Sequence, residues 1–193
     1  MTTKWTIQRT AAPSVLPLTL ADAKGHLRIS VADTTHDQLI QRYIEAAVEQ
    51  LEQDTGRVAI ESSFTQYADD FESDITLHRA PVQSVASISY SDSEGVTKTL
   101  PTTTYGVDLS RDMVYLKSGQ QWPGTNRERN NVAIAFVAGY GTSVANSPRL
   151  VQSALLLQVS AWFYDPAMES ELRDPWSTAY ERIIGRIMRS SYP

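Results

Sequence analysis

The chain has 193 residues, of which 41% are hydrophobic and 20% charged, so it is long enough for one domain with a core and short for two. Its net charge of -5 argues against holding nucleic acid by bulk attraction, and the absence of cysteine excludes disulfides, thiolate metal sites and cysteine nucleophiles. No apolar run approaches the roughly 18 residues that span a bilayer, so we expect a soluble protein without a membrane partner.

An extended arm is expected over residues 1–18, which are rich in Thr, Ala, Pro and Ser. A short helix is predicted next, over residues 20–28. Thr19 and Asp22 have the spacing of a capping box, in which the side chain of the first residue accepts a backbone hydrogen bond from the start of the helix.

A longer helix is predicted over residues 36–55, followed by Gly56 as a left-handed C-terminal cap. Apolar residues recur in it at spacings of three and four, which gives one stripe for a core. The stripe consists of Ile40, Tyr43, Ile44, Ala47, Val48 and Leu51.

The same helix carries three like charges, Glu45, Glu49 and Glu52, at spacings of four and three. Such pairs repel each other, and the C-terminal half of a helix disfavours anions. One interpretation is a solvated face with Arg42 and Arg57 nearby. The other is a face kept acidic because of what lies opposite it.

From residue 58 to 139 the hydrophobic period changes to two, which predicts an antiparallel β-module. Hairpin turns are expected at residues 92–95 and 110–112, and a long loop over residues 117–131. Seven strands are expected, at residues 64–68, 75–78, 85–90, 96–100, 105–109, 113–116 and 132–138.

A third helix is predicted to end at Tyr164, before Asp165-Pro166, with Ser147 as its N-cap and Pro148 at its first position. Apolar residues surround most of its circumference, which is typical of a helix covered on several sides. We therefore expect it to be the element on which the others pack.

A fourth helix is predicted from Asp174 as N-cap to about Ser190. It has an apolar stripe on one side and, on the other, Arg182, Arg186 and Arg189. The stripe either packs on the core of its own chain or docks into the groove of another protein.

No catalytic constellation is present. His26, His36 and His78 stand in different predicted elements, the glycine-rich residues 139–143 lack the lysine of a phosphate loop, and the acidic residues 69–72 lack the spacing of a calcium loop. We therefore expect neither an enzyme nor a metal or other cofactor.

The order of several motifs resembles the head-tail connector proteins of tailed bacteriophages. The motifs begin with residues 18–28 (LTLADAKGHLR), 44–57 (IEAAVEQLEQDTGR) and 77–85 (LHRAPVQSV). They continue with residues 105–107 (YGV), 122–123 (WP), 136–141 (FVAGYG), the helix led by Pro148 and residues 162–164 (WFY). The resemblance covers roughly residues 16–165.

This resemblance implies a structural virion protein, also called an adaptor or head-completion protein, located in the neck after synthesis in the host cytoplasm. The family's members form dodecameric rings that bridge the portal protein to a stopper or tail component. DNA would pass through the channel of such a ring without sequence-specific binding.

Three contact surfaces follow as hypotheses. The DNA-channel face would be Glu45, Glu49 and Glu52. The portal-binding residues would be Trp176, Tyr180, Ile183, Ile184, Ile187, Met188 and Tyr192. Contacts with neighbouring subunits or the stopper would be made by Asp92, Glu94, Gly95, Trp122, Arg127 and Arg129.

The predicted fold class is α+β, a helical bundle of two N-terminal and two C-terminal helices with an inserted antiparallel β-module. Within one domain we expect the arm (1–18), the N-terminal helices (19–57), the β-module (58–139), the core helix and linker (140–173) and the C-terminal helix and tail (174–193). The alternatives are another neck or tail component, such as a stopper or tail-terminator protein, which would be mostly β, and a DNA-binding module.

Overall fold

The computed structural model describes residues 5–126, 128–165 and 175–189. The chain divides into two compact units. The sheet unit contains residues 5–12 and 61–139, and the helical unit contains the described parts of residues 13–60 and 140–192. Helices and antiparallel sheets are both present, so the predicted α+β class is confirmed. The organisation as a single domain stays a prediction.

Within its described residues, the helical unit contains four α-helices at the predicted places. They are α1 (Leu20–His26), α2 (Asp37–Thr55), α3 (Arg149–Tyr164) and α4 (Pro175–Arg189). Two predicted helix ends are confirmed, because the Asp22 backbone N–H donates to Thr19 Oγ1 at 3.0 Å and Gly56 has a left-handed φ of 67°. Asp165 follows the end of α3, and Asp174 lies outside the described residues.

The core of the helical unit forms where α2 and α3 present their apolar sides to each other. Ile40, Ile44 and Leu51 of α2 are fully buried, as are Ala154 and Leu155 of α3. Side chains of α1 and α4 belong to the same cluster of buried residues. The predicted stripe of α2 is thus the part of that helix that enters the core.

The predicted N-cap of α3 is wrong. Ser147 ends a short 3-10 turn, Val144–Asn146, and its backbone N–H donates to the Val144 carbonyl at 3.2 Å. Its hydroxyl is buried and has no hydrogen-bond partner among the described residues, and Pro148 occupies the N-cap position. Ser147 therefore lies one residue before the N-cap position, and its hydroxyl caps no described backbone N–H group of α3.

The described residues of the sheet unit form eight strands. They are β1 (Thr6–Ala11), β2 (Ser62–Ala68), β3 (Asp74–Thr76), β4 (Val82–Ser91), β5 (Thr97–Thr99), β6 (Tyr105–Asp108), β7 (Met113–Leu116) and β8 (Val132–Ala138). The seven predicted strands all occur, with ends shifted by up to three residues. The additional strand, β1, lies in the stretch for which an extended arm was expected.

Two antiparallel sheets are built from these strands. The order is β1-β2-β8-β4-β5 in the larger sheet and β3-β7-β6 in the smaller one. Phe64 of β2 stacks on Phe136 of β8 with ring centroids 5.8 Å apart. Gln66 is completely buried and links the two sheets, because its Nε2 donates to the Thr76 carbonyl at 2.8 Å and its Oε1 accepts from the His78 backbone N–H at 2.9 Å.

Candidate interaction surfaces

The apolar stripe of α4 packs on its own subunit. Tyr180 and Ile187 are 6% and 4% exposed, and Ile183 and Ile184 pack against the same core. The Tyr180 hydroxyl donates to Asp54 Oδ2 of α2 at 3.0 Å. Most of the stripe is therefore occupied by contacts within the chain, which is the first of the two interpretations of its sequence.

Burial raises the pKa of Tyr180 well above its usual range, and the hydrogen bond to the Asp54 carboxylate acts in the same direction. Both effects disfavour the phenolate, the first through desolvation and the second because a neutral phenol is needed as donor. Tyr180 thus remains a neutral donor that ties the start of α4 to the end of α2.

The opposite side of α4 is charged and exposed. It presents Glu181, Arg182 and Arg186, and Met188 is 56% exposed beside them. Of the remaining residues proposed to bind the portal, Tyr192 and the side chain of Trp176 lie outside what the structure describes. The surface that α4 offers to a partner is therefore different from the stripe that the sequence singled out.

The three glutamates of α2 do not share one exposed face. Glu45 and Glu49 are exposed, and each accepts a hydrogen bond from a glutamine four residues away, Gln41 and Gln53 respectively, at 3.1 and 3.3 Å. Glu52 is only 6% exposed, and its Oε1 accepts from the Ala59 backbone N–H at 3.2 Å. Of the three predicted glutamates, only Glu45 and Glu49, here called the acidic face, are therefore accessible to a partner or to a channel.

Asp92 organises the hairpin between β4 and β5. Its Oδ1 accepts from the backbone N–H groups of Glu94 and Val96 at 2.9 and 3.0 Å, and its Oδ2 lies 2.5 Å from Lys98 Nζ. The Lys98 hydrogen bond, followed by that from Val96, lowers the pKa of Asp92 below its ordinary value. Asp92 itself is almost buried, so the exposed tip is formed by Glu94 and by Gly95, whose φ of 80° favours glycine.

The long loop before β8 is held against the sheet unit. The Trp122 ring stacks on Phe71, with centroids 4.7 Å apart and planes 2° apart. Thr125 Oγ1 donates to Asp70 Oδ1, and the Asn130 backbone N–H donates to Asp69 Oδ1, both at 2.9 Å. Trp122 is consequently half-buried.

The two arginines proposed for contacts, Arg127 and Arg129, belong to the second half of this loop in the sequence. Arg129 is exposed, and Arg127 lies outside the described residues. The loop thus offers Arg129, with the exposed Glu128 and Asn130 beside it, while its first half is fixed by the stack and the Thr125 contact.

Lys24 is a key structural residue that sequence reasoning missed. It is 1% exposed, and its ammonium donates to the carbonyls of Val31 and Asp33 at 3.0 and 2.6 Å and to Asp37 Oδ1 at 2.6 Å. These bonds fix the segment between α1 and α2. Its partners follow by 7 to 13 residues in a loop without a recognisable period, so no pattern could have indicated them.

Within the described ranges, no group of three or more His, Asp or Glu side chains could hold a metal ion. None of the helices there is long and apolar enough to cross a bilayer.

Comparison with known families gives a match over the first part of the chain. The sequence model of the Phage gp6-like head-tail connector protein family matches residues 17–105. This match confirms the resemblance that the order of motifs indicated. A search of curated proteins found no match.

Solved structures with a similar fold include chains from gene transfer agent (GTA) particles. A chain from the neck of an empty GTA particle, computed with C6 symmetry, has a TM-score of 0.76 and 22% identity, covering 92% of this chain and 94% of that chain. A chain from the virion of a native GTA particle has a TM-score of 0.75 and 22% identity, covering 91% and 93%. A chain from the neck of a native GTA particle, computed with C12 symmetry, has a TM-score of 0.68 and 20% identity, covering 94% and 93%. These similarities establish a shared fold across both units.

Proposed function

We propose that this chain is a structural head-tail connector located in the neck of a phage-like particle. The observation that carries the proposal is the family match over residues 17–105. The fold shared with neck chains over more than 90% of both sequences supports it. The four helices favour a connector over the mostly β stopper or tail-terminator proteins considered as alternatives.

The connector acts as a homo-oligomeric ring, a dodecamer by the family resemblance. Two of the similar neck structures were computed with C6 and C12 symmetry, which supports a ring. In a closed ring, one patch of each subunit meets a different patch of its neighbour. In this proposal the four helices form a bundle that serves as the body of the subunit. Strands β2 to β8 of the sheet unit are inserted between α2 and α3, and β1 precedes α1.

The ring joins the portal on one side to a stopper or tail-terminator protein on the other. Residues 174–193 dock on the portal, with Met188 as the exposed apolar side chain of the described part. The hairpin tip at Glu94 and Gly95 and the loop around Arg129 contact neighbouring subunits or the stopper.

DNA passes through the channel of the ring without sequence-specific binding. We place the acidic face (Glu45 and Glu49) on the channel wall. Basic side chains on this wall would neutralise DNA phosphates, and every phosphate neutralised would add affinity that slows the passage of DNA. Carboxylates do not bind phosphates and so avoid this effect. Glu52 is withdrawn from this face, since its carboxylate is buried in the subunit.

Reconstitution tests the proposal. Particles made without this chain should be DNA-filled heads without tails, and adding the purified chain should restore joining. Negative-stain microscopy of the chain mixed with the portal of the same particle should show a ring on the portal. The proposal would be contradicted if heads joined tails without the chain, or if no ring of the chain were seen on the portal.

A gel-shift assay with duplex DNA at low salt tests the alternative of a DNA-binding module. If no complex forms, that alternative is ruled out.

A deletion of the C-terminal segment is a poor test of the portal contact, because α4 is part of the core of the helical unit. Removing residues 174–193 would take Tyr180 and Ile187 out of the core, so substitutions on the exposed side of α4 are the sharper probe.

A further inference from the structure

Within the described residues, the larger sheet ends in two open edges. Strand β1 has β2 on one side and no strand on the other, and β5 likewise pairs only with β4. Alternate residues of an edge strand point their backbone N–H and C=O groups away from the sheet, where these groups can bind a further strand. Five of the six β1 residues and all three β5 residues are exposed, so both edges are accessible.

The charged side chain of each edge strand is turned back onto its own chain. Lysine and arginine side chains that project from edge strands usually protect them from pairing with other chains. The Arg9 guanidinium lies over the ring of Phe64, 5.1 Å from its centre. Lys98 Nζ lies 2.5 Å from Asp92 Oδ2. Neither charge is therefore directed outward to protect its edge.

The smaller sheet does not offer the same pair of edges. At its edge strand β3, the Thr76 carbonyl accepts from Gln66 Nε2 at 2.8 Å, and the following His78 backbone N–H donates to Gln66 Oε1 at 2.9 Å. Gln66 belongs to β2, so this edge is already joined to the larger sheet. The edges of the larger sheet are therefore the better candidates for a contact with another chain.

The polar side chains at the two edges lie on the same face of the larger sheet. Directly paired residues point to the same face, as do residues two apart in one strand. From β1 to β5 this face passes through the pairs Gln8–Thr65, Thr65–Ala135, Ala135–Ser87 and, two residues along β4, Ser89–Thr99. It therefore carries Thr6 and Gln8 at one edge and Thr97 and Thr99 at the other. If the two edges met, these side chains would become cross-strand neighbours able to form hydrogen bonds.

We propose that β1 of one copy pairs with β5 of the next copy in the ring. This inference rests on the proposed function, because it requires a homo-oligomeric ring. A closed ring needs two different patches on each subunit, and the two edges of one sheet meet that requirement. Pairing of β1 with β1, or of β5 with β5, would join two copies about a twofold axis and could not continue around a ring.

Register shifts give the larger sheet the curvature that such a ring requires. One shift lies in β1, after Arg9, and two lie in β4, between Val82 and Ser84 and between Val85 and Ser87. Bulges of this kind bend strands and allow sheets to curve and close. The shift in β1 is at its end, so residues 6–9 keep the regular register that pairing with another strand needs.

Disulfide cross-linking tests the contact directly, because the chain contains no cysteine. The variants Q8C/T97C and Q8C/T99C are assembled on the purified portal of the same particle, oxidised and separated on a denaturing gel. Paired strands lie about 4.8 Å apart, which is within the Cα–Cα range of a disulfide. At least one variant should give a ladder of covalent trimers and larger oligomers, whichever direction the paired strands take.

The control variant Q8C/S110C keeps the cysteine in β1 and moves the second one to an exposed serine in the turn between β6 and β7. It should give no ladder, and the single variants Q8C, T97C and T99C should stay monomeric on the gel. Circular dichroism establishes that each variant is folded before its cross-linking is compared.

Hydrogen exchange of the wild type provides a second measurement, which needs no substitution. Amides of residues 6–9 and 97–99 that point away from the sheet should exchange at least about tenfold more slowly in the ring than in the isolated subunit, because pairing protects them. Amides of β2 and β8, which are already paired on both sides, should change little.

The inference is overturned if assembled rings give no ladder with either cysteine pair, or if Q8C/S110C gives an equal ladder. Covalent dimers of Q8C alone would assign the edge to a β1–β1 contact. Protection of β1 and β5 that appears only after tail components are added would assign the edges to another protein. Rings without the predicted cross-links leave the proposed function intact, whereas a wild type that forms no ring on the portal contradicts the proposed function as well.

Discussion

The helical unit and the sheet unit hold their parts together by different interactions. In the helical unit, apolar side chains of all four helices share one core, and a single buried ammonium, that of Lys24, fixes the segment between α1 and α2. In the sheet unit, the turns and the long loop are held by carboxylates that accept backbone or hydroxyl hydrogen bonds, among them Asp69, Asp70, Asp92 and Asp108. The stability of the helical unit should therefore depend most on the volume of its buried apolar side chains. In the sheet unit, the charge of the turn carboxylates should contribute most to the stability of the turns.

The largest expected effect is the loss of a core side chain from the helical unit. Leu155 is completely buried in α3, so Leu155→Ala removes apolar contacts and leaves a cavity. The free energy of unfolding should fall by about 2–5 kcal/mol, measured by urea denaturation. We expect this variant to lose ring assembly through unfolding and not through a selective block of one partner.

The matched control makes the same substitution at an exposed position of the helical unit. Leu39 of α2 is 40% exposed, so Leu39→Ala should cost less than about 1 kcal/mol. Equal losses in the two variants would contradict the view that the buried contacts of α3 organise the unit.

The elements that the sequence predicted well are those with a repeated pattern. The stripe of α2, the alternation of β2 and β8 and the left-handed cap at Gly56 each follow from a local rule. β1 was missed because it is an edge strand with five of six residues exposed, so it shows no alternation of apolar and polar side chains.

Surfaces were harder to predict than elements. The sequence pattern of α4 identified its apolar stripe. This pattern is the same whether the stripe packs on the core of its own chain or on another protein. Glu52 is similar, since its spacing from Glu49 gave no indication that its carboxylate accepts a backbone hydrogen bond from Ala59. Such contacts join residues through a loop and depend on the tertiary fold.

A smaller effect is expected from Lys24→Met, which keeps the apolar stem and removes the ammonium. The carbonyls of Val31 and Asp33 and the carboxylate of Asp37 would each lose a donor. Because the Asp37 side chain is 27% exposed and water can replace part of the loss, we expect a cost of about 1–3 kcal/mol. Hydrogen exchange should show faster exchange in residues 29–37.

Lys117→Met in the sheet unit is the matched control. Lys117 is exposed and donates to the Thr102 carbonyl at 2.8 Å, so its replacement should change the free energy of unfolding by less than about 1 kcal/mol. A neutral effect of Lys24→Met, with unchanged exchange in residues 29–37, would show that the ammonium is not what fixes this segment.

The smallest effect concerns the pH dependence of the β4–β5 hairpin. The hydrogen bond from Lys98 lowers the pKa of Asp92, so on acidification the unfolded state takes up the proton first. The stabilisation is complete above the unfolded value of about 3.9 and is lost as the pH falls through the lower folded pKa. Asp92→Asn keeps the amide oxygen as acceptor but removes the charge, so unfolding monitored between about pH 5 and pH 2 should depend less on pH than in the wild type.

Lys98→Met provides the comparison, because it removes the partner that contributes most to the shift of Asp92. Each single variant should reduce the acid dependence, and the double variant should reduce it little further, since both changes remove the same pair. The dependence should be reduced and not abolished, because hydrogen bonds from Thr35 and Ser110 likewise lower the pKa values of Asp33 and Asp108. Additive effects of Asp92→Asn and Lys98→Met would mean that the two side chains act independently and that the tip is held by the backbone bonds alone.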